Sequence, residues 1–119
     1  MKIGIVKLSA LGDIIHAMVV LQFIKKYSQE TKIDWIVDKS YEDLLKCNPD
    51  INKLHLIDFK KVKQNKSITL FFRELNRIRK LGPYDLVIDM QGLLKSAIVS
   101  RLIRSKLTIG FDKNSVRES

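Results

Sequence analysis

The chain has 119 residues, a length that suits a single domain. Apolar residues make up 45% of it, which supplies enough side chains for a packed core and argues against a wholly disordered protein. Lys and Arg outnumber Asp and Glu by 22 to 13, giving a formal net charge of +9, so we expect an anionic partner. Charge alone leaves phosphate, carboxylate, nucleic acid and an acidic membrane surface open as that partner.

The cysteine content and the hydropathy pattern bear on location. Cys47 is the only cysteine, so no intrachain disulfide can form, which is typical of a reducing, cytoplasmic compartment. The apolar start of the chain is interrupted by Lys7, Gly12 and Asp13, so we expect no signal peptide. No stretch approaches the ~20 apolar residues that a membrane-spanning helix needs, and we expect any membrane contact to be peripheral.

The apolar pattern predicts strands and helices that alternate along the chain. In chain order these are a strand at 2–8, a helix at 13–28, a strand at 33–37, a short helix at 41–47, a strand at 54–57, a helix at 68–78, a strand at 86–88, a helix at 94–103 and a strand at 107–109. Apolar residues cover most of the circumference of the first helix, so we expect it to be heavily buried. Residues 60–66 lack periodicity and are predicted to form a basic loop. The order predicts an α/β fold, a Rossmann-like parallel sheet with helices on both faces.

Parallel α/β sheets bind ligands beyond the carboxyl ends of their strands, so the first site candidate is the loop at 7–13, KLSALGD. It matches neither the dinucleotide-binding glycine pattern nor the P-loop. Its Asp13 carboxylate could accept a proton from a substrate hydroxyl. The alternative is that Asp13 caps the following helix and that Lys7 is a solvated residue at the strand end.

The loop after the predicted fourth strand, residues 89–96 (DMQGLLKS), is the second candidate. Gly92 would allow a tight turn or the close approach of a ligand. Lys95 would lie in the first turn of the next helix, where anions bind and where the helix dipole otherwise disfavours a cation. The alternative is an ordinary joint between strand and helix with an exposed lysine.

Four lysines between residues 60 and 66 form the third candidate, either a solvated loop or an anion-gathering one. His16 and His55 lack ligand spacing, so we expect no metal site. Trp35 and the adjacent Phe71 and Phe72 are expected in the core rather than on a stacking surface.

Several segments together resemble the lipopolysaccharide heptosyltransferase family, and type I within it. The matching segments are KLSALGDIIH at 7–16, DWIV at 34–37, DMQGLLKS at 89–96, GFD at 110–112 and RE at 117–118. Because these motifs occur in the right order over essentially the whole chain, they are far more specific together than singly. Types II and III are the alternatives within the family, and type II matches less well in the first loop and at 89–96.

The resemblance implies an inverting, metal-independent glycosyltransferase with the GT-B fold, in which two Rossmann-like domains face a cleft. Such an enzyme transfers L-glycero-D-manno-heptose from ADP-heptose to a Kdo sugar of Kdo-lipid A at the cytoplasmic face of the inner membrane, with no cofactor. The N-terminal domain binds the acceptor and the C-terminal domain binds the donor. Residues 1–111 are then expected to be an incomplete acceptor-binding domain, 112–119 a polar tail, and the donor domain absent. We expect this chain alone to be inactive and to contact anionic membrane peripherally.

The resemblance also implies roles for individual residues. Asp13 matches the general base that takes the proton from the Kdo hydroxyl. The acceptor-binding positions that it implies are Lys7, Ser9, Ala10, Gly12, Lys60, Lys61, Lys63, Gln91, Gly92, Lys95 and Arg117. The basic ones suit carboxylates and phosphates, whereas Gln91 receives no specific step. A rival interpretation, a non-enzymatic nucleic-acid-binding domain, rests on the charge alone. The sequence lacks a helix-turn-helix pattern, zinc ligands and an aromatic RNA-binding strand, so we expect no nucleic-acid partner.

Overall fold

The computed structural model describes residues 1–65, 68–91 and 94–110, and leaves out the side chains at 62, 63, 65, 68, 71 and 94–97. The elements are β1 (Lys2–Val6), α1 (Leu11–Tyr27), β2 (Lys32–Asp38), a 3-10 turn (Lys39–Tyr41), α2 (Glu42–Leu45), β3 (Lys53–Ile57), α3 (Phe59–Asn65), α4 (Ile68–Arg79), β4 (Leu86–Asp89), α5 (Leu94–Leu102) and β5 (Thr108–Gly110). Each predicted strand and helix is present, and α3 is an addition.

The five strands form one parallel sheet in the order β3-β2-β1-β4-β5. β1 is central, with Ile3 beside Ile33 on one side and beside Leu86 on the other. From β1 the chain first proceeds outward to β2 and β3, and then returns to add β4 and β5 on the opposite side. The loops after β1 and β4 therefore meet where the strand order reverses, which is where such sheets bind ligands.

Alternate strand residues point to opposite faces of the sheet and build two cores. One core, between the sheet and helices α1 and α2, buries Ile3, Ile5, Ile14, Ala17, Leu21, Ile33, Trp35, Val37 and Leu45. The other, which includes residues of α4 and α5, buries Val6, Leu8, Ile36, Ile57, Ile78, Tyr84, Val87, Val99 and Ile103. Helices thus cover both faces, and the predicted Rossmann-like architecture is confirmed.

Helix α1 is less buried than its sequence predicts. Only three of its side chains are buried, Ile14, Ala17 and Leu21. Its outer face exposes an apolar residue at every fourth position: Leu11, Ile15, Val19, Phe23 and Tyr27. A helix that lies on one face of a sheet contacts it along one stripe, so apolar residues elsewhere on its circumference stay exposed. No described helix has the length and apolar character needed to cross a membrane.

Two further expectations concern aromatic residues and the basic segment. Trp35 is fully buried, as predicted, but Phe72 is 61% exposed, so its expected place in the core is wrong. The side chain of Phe71 lies outside the described residues. The predicted basic loop is wrong as well, because residues 59–65 form α3. The Asp58 carboxylate accepts a hydrogen bond from the backbone N–H of Lys61 at 2.9 Å, which is the arrangement of a helix N-cap.

A buried polar network joins β2 to the segments that lead into β3 and β4. Asp34 on β2 is 1% exposed, and its carboxylate accepts hydrogen bonds from Tyr84 Oη at 2.6 Å and Asn52 Nδ2 at 3.1 Å. His55 Nε2 lies 3.6 Å from the same carboxylate. Burial alone would raise the pKa of Asp34, but its contacts with His55, Tyr84 and Asn52 outweigh burial and lower the pKa to about 2. The core therefore holds an ionised carboxylate. Gly4 makes room for the Tyr84 ring, which would lie 3.3 Å from a Cβ there.

Candidate functional site

The loops after β1 and β4 are neighbours because the two strands pair directly, with Val6 opposite Asp89. The pairing continues one step past β4, where the Met90 N–H donates to the Val6 carbonyl at 2.9 Å. The first and second candidate segments of the sequence are thus brought together at the carboxyl edge of the sheet.

The chain just past β1 is held by β2 on its other side. The Lys7 N–H donates to the Ile36 carbonyl at 3.2 Å, and the buried indole Nε1 of Trp35 donates to the Lys7 carbonyl at 3.0 Å. The Leu8 carbonyl accepts from the Asp38 N–H at 3.2 Å. Residues 7 and 8 therefore have a defined position relative to the sheet, which fixes where the following loop begins.

Gln91 connects the two loops through its side-chain amide. Its Oε1 accepts the backbone N–H groups of Leu8 and Ser9, each at 3.2 Å, and its Nε2 donates to Ser9 Oγ at 3.2 Å. The Gln91 backbone N–H in turn donates to Asp89 Oδ1 at 3.0 Å. The family resemblance implies that Gln91 is an acceptor-binding residue, but the sequence gives no sign of these contacts, which join positions 82 and 83 residues apart.

Asp13 lies in the first turn of α1, at the open end of the site. The N-cap of α1 is Ala10, whose carbonyl accepts the Ile14 N–H at 2.8 Å, so the alternative in which Asp13 is the N-cap is wrong. The Asp13 side chain is 69% exposed, and its Oδ2 lies 3.9 Å from Lys7 Nζ. The carboxylate is therefore accessible to an incoming molecule.

Lys7 departs from the solvated residue that the alternative interpretation expects. Its side chain is only 8% exposed, and its ammonium reaches from the end of β1 toward Asp13. An ammonium with little access to water is stabilised by an oppositely charged neighbour, and Asp13 is such a neighbour. The pair places an open carboxylate over a largely buried cation. An ionised carboxylate within reach of a substrate hydroxyl can accept its proton.

The other residues of the first loop flank this pair. Ala10 is the N-cap of α1, and Gly12 is the second residue of the helix. A Cβ built on Gly12 meets nothing within 4 Å, so the space beside it is open. Ser9 directs its hydroxyl to Gln91.

The basic residues of α3 lie farther away. Lys60 and Lys61 are exposed near the start of α3, which follows β3 at the same edge of the sheet. β3 is two strands from β1, a separation of about 10 Å at the usual spacing of neighbouring strands. These lysines therefore share the edge with Asp13 without adjoining it.

A part of the predicted site lies outside the described residues. Lys95 follows Leu94, the first residue of α5, so its backbone is in the first helical turn as predicted. The side chains of Lys63 and Lys95 lie outside the described residues, as do Gly92, Arg117 and the whole segment 112–119.

The stretch that contains the β4 loop matches a protein-family model. Residues 72–118 match glycosyltransferase family 9, the heptosyltransferases. Over all 119 residues the chain is 50% identical to lipopolysaccharide heptosyltransferase 1 of Campylobacter coli, of which it covers 33%. The chain is thus similar to the heptosyltransferases of glycosyltransferase family 9.

Two further comparisons extend this heptosyltransferase relationship. Lipopolysaccharide heptosyltransferase 1 of Pseudomonas aeruginosa is 32% identical over 121 residues, which are 99% of this chain and 34% of that protein. The structure of E. coli heptosyltransferase WaaC with ADP superposes with a TM-score of 0.80 and 27% identity, over 94% of this chain and 36% of that one. The family resemblance predicted from the motifs is confirmed. The chain spans about a third of the length of the curated relatives it matches.

Proposed function

We propose that this chain is the acceptor-binding domain of a type I lipopolysaccharide heptosyltransferase. The complete enzyme would transfer L-glycero-D-manno-heptose from ADP-heptose to a Kdo sugar of Kdo-lipid A. The observation that carries the proposal is the open Asp13 carboxylate beside the largely buried Lys7 ammonium, at the reversal point of the sheet. Relatives named lipopolysaccharide heptosyltransferase 1 support the choice of type I over types II and III.

In this mechanism Asp13 accepts the proton of the Kdo hydroxyl that attacks. As the O–H bond breaks, the hydroxyl oxygen forms a bond to the anomeric carbon of heptose, and the bond from that carbon to ADP breaks. ADP leaves with the bonding electrons, and attack from the opposite side inverts the anomeric centre. The Lys7 ammonium stays beneath the carboxylate and holds it at the edge of the helix. General-base catalysis of this kind contributes about 10²–10⁴-fold to rate.

Acceptor recognition needs cations that reach beyond the reacting hydroxyl. Lys60 and Lys61 are exposed at the same edge of the sheet as Asp13, and the strand β3 that precedes them lies about 10 Å from β1. That separation fits a large acceptor that carries several carboxylates and phosphates better than it fits a small sugar. Lys63, Lys95 and Arg117 complete the set of cations that we assign to the acceptor from the sequence. Charge-assisted hydrogen bonds from such groups are stronger than neutral ones.

The remaining parts of the proposal concern the donor and the membrane. We assign residues 1–111 to the acceptor domain and 112–119 to a polar tail, and we place the donor site on a further stretch of polypeptide. The ADP in the E. coli WaaC structure supports an ADP-linked donor. The net charge of +9 supports peripheral contact with the anionic cytoplasmic face of the inner membrane, because each basic residue near such a surface adds about 1 kcal/mol of attraction.

Acceptor binding by the 119-residue chain tests the proposal. The chain is titrated with Kdo-lipid A in detergent micelles, and with lipid A that lacks Kdo as the comparison. We expect tighter binding of the Kdo-bearing lipid, and a loss of about tenfold or more in its affinity when Lys60 and Lys61 are both changed to Ala. The control changes Lys32 and Lys53 to Ala. These exposed residues begin β2 and β3 at the opposite edge of the sheet, so the control variant loses the same two positive charges away from the proposed site.

Four outcomes would contradict the proposal or one of its parts. Equal affinity for the two lipids would exclude Kdo as the recognised group. Equal losses of affinity in the two double variants would mean that the lipid responds to the net charge of the chain and not to a defined site. Tight binding of duplex or single-stranded nucleic acid with a steep salt dependence would favour the nucleic-acid alternative instead. With the complete enzyme, transfer to an acceptor that already carries heptose in preference to Kdo-lipid A would point to type II or III.

A further inference from the structure

The side-chain amide of Gln91 makes its hydrogen bonds to other residues of the protein. A carboxamide oxygen has two lone pairs, and in Gln91 both are occupied, by the N–H groups of Leu8 and Ser9 at 3.2 Å. One of its two N–H donors is directed at Ser9 Oγ, also at 3.2 Å. At most one polar site of the amide is left for an incoming molecule. These contacts do not fit a residue whose main task is to bind the acceptor.

The contacts fall on the segment that decides where α1 begins. The Leu8 side chain is fully buried, and its carbonyl is already bonded to Asp38, so Leu8 is fixed. Ser9 and Ala10 then lead into α1, whose N-cap, Ala10, has no side-chain hydrogen bond to hold it. The Gln91 amide supplies the polar contacts that this stretch of backbone otherwise lacks. A backbone N–H left without a partner at a partly buried site costs about 1–3 kcal/mol, so the loop would rearrange if Gln91 lost its amide.

The start of α1 carries Asp13, the proposed base, four residues beyond Ser9. Because α1 is a rigid helix, a displacement of its first turn moves the Asp13 carboxylate with it and changes its distance from the attacking hydroxyl. A misplacement of 1 Å in a catalytic group costs about 10²-fold in rate. The position of the Gln91 amide is itself fixed, since the Gln91 backbone N–H is bonded to Asp89 at the end of β4.

We propose that Gln91 is a positioning residue, one that holds the β1–α1 loop so that Asp13 is set for proton transfer, and that it is not a principal acceptor ligand. This inference rests on the proposed function for its catalytic part only. The connection from Gln91 to the backbone of Leu8 and Ser9 stands on the geometry alone. The two parts can therefore fail separately.

Two substitutions of Gln91 separate positioning from simple stability. Gln91→Met keeps the length of the side chain and removes the amide, so all three contacts are lost. Gln91→Glu keeps the length and both acceptor lone pairs for Leu8 and Ser9, and the Ser9 hydroxyl can rotate to donate to the carboxylate. If Gln91 acts by positioning, the Glu variant restores the loop that the Met variant disturbs.

Backbone hydrogen exchange on the 119-residue chain tests the geometric part. The amides of Leu8 and Ser9 are expected to exchange at least about tenfold faster in the Met variant than in the parent, and close to the parental rate in the Glu variant. The amide of Val6, which lies within β1, is the internal control and is expected to change little. Equal exchange of Leu8 and Ser9 in the Met variant and the parent would overturn the inference, whatever the chain binds.

Kinetics of the complete transferase test the catalytic part. Gln91→Met is expected to lower kcat by about 100-fold, with little change in the KM for Kdo-lipid A or the binding of ADP-heptose, and Gln91→Glu is expected to recover most of kcat. Thermal unfolding of each variant ensures that only folded protein is compared. A rise in the acceptor KM with kcat unchanged would make Gln91 an acceptor ligand and overturn the inference. A parent enzyme that transfers no heptose would overturn the proposed function, while the exchange result still decides the geometry.

Discussion

Substitution of Tyr84 by Phe removes one hydroxyl from the buried network around Asp34 and leaves the ring in place. The hydroxyl donates to Asp34 Oδ2 at 2.6 Å, and both residues are almost fully buried. A hydrogen bond to a charged group contributes about 1.5–3 kcal/mol, so we expect Tyr84→Phe to lower the free energy of unfolding by about 2 kcal/mol. For a domain of this size that loss lowers Tm by roughly 8 °C.

The loss is expected to depend on pH in a defined direction. The pKa of Asp34 is lowered from 3.8 to about 2, so its ionised form stabilises the fold above the unfolded-state pKa near 4. That stabilisation disappears as the pH falls through the folded-state pKa. Without the Tyr84 hydroxyl the pKa of Asp34 rises, and less of this stabilisation exists to be lost. The difference in unfolding free energy between parent and Tyr84→Phe should therefore be largest at neutral pH and shrink toward pH of about 2.

Urea unfolding followed by tryptophan fluorescence measures both effects. Trp35 is the only tryptophan in the chain and is fully buried, so its emission reports the core directly. Tyr27→Phe is the matched control, because Tyr27 is 81% exposed and should lose less than about 0.5 kcal/mol. A Tyr84→Phe variant as stable as that control would refute the reasoning. So would a loss of the same size at neutral and acidic pH.

Two further pairs of variants test the backbone and the packing of α1. Gly82→Ala should cost about 1–3 kcal/mol in unfolding free energy, because Gly82 has a φ of 92° and its Cβ would lie 2.7 Å from the Arg104 carbonyl oxygen. In Gly12→Ala the new Cβ meets only open space, and the unfolding free energy should stay equal or rise by roughly 0.5 kcal/mol. Because this variant keeps its fold, a loss of acceptor binding in it would indicate that the acceptor approaches Gly12 closely. Leu21→Ala should cost about 2–5 kcal/mol, whereas Phe23→Ala on the exposed face should cost under about 1 kcal/mol, and similar losses in urea unfolding would contradict the one-sided packing of α1.

The order of strands and helices could be predicted because it depends on local apolar patterns. The runs that form β1, β2 and β4 are short, apolar and bounded by polar or turn-forming residues, as buried parallel strands usually are. The position of the site followed from that order, because a parallel sheet brings the loops after β1 and β4 to one edge. The family resemblance then favoured Asp13 as the general base over the alternative in which it only caps its helix.

The contacts that hold the site together could not be predicted in this way. Gln91 meets Ser9 across 82 residues, and Tyr84 meets Asp34 across 50, and neither pair has a spacing that local rules can detect. The helix α3 was not predicted for a different reason. Its lysine-rich sequence lacks apolar periodicity, and the Asp58 N-cap that begins it was not recognised. The exposed outer face of α1 was missed because apolar content alone does not say how much of a helix its neighbours cover.

The role of Asp13 is tested most directly by the turnover of an Asp13→Asn variant of the complete transferase, measured with saturating ADP-heptose and Kdo-lipid A. Asparagine keeps the shape of the side chain but cannot take the proton, so kcat should fall by about 10²–10⁴-fold while ADP-heptose binding stays close to that of the parent. A variant that turns over at nearly the parental rate would remove Asp13 from the position of base. A variant that loses donor binding to the same extent as turnover would place Asp13 in the donor site instead.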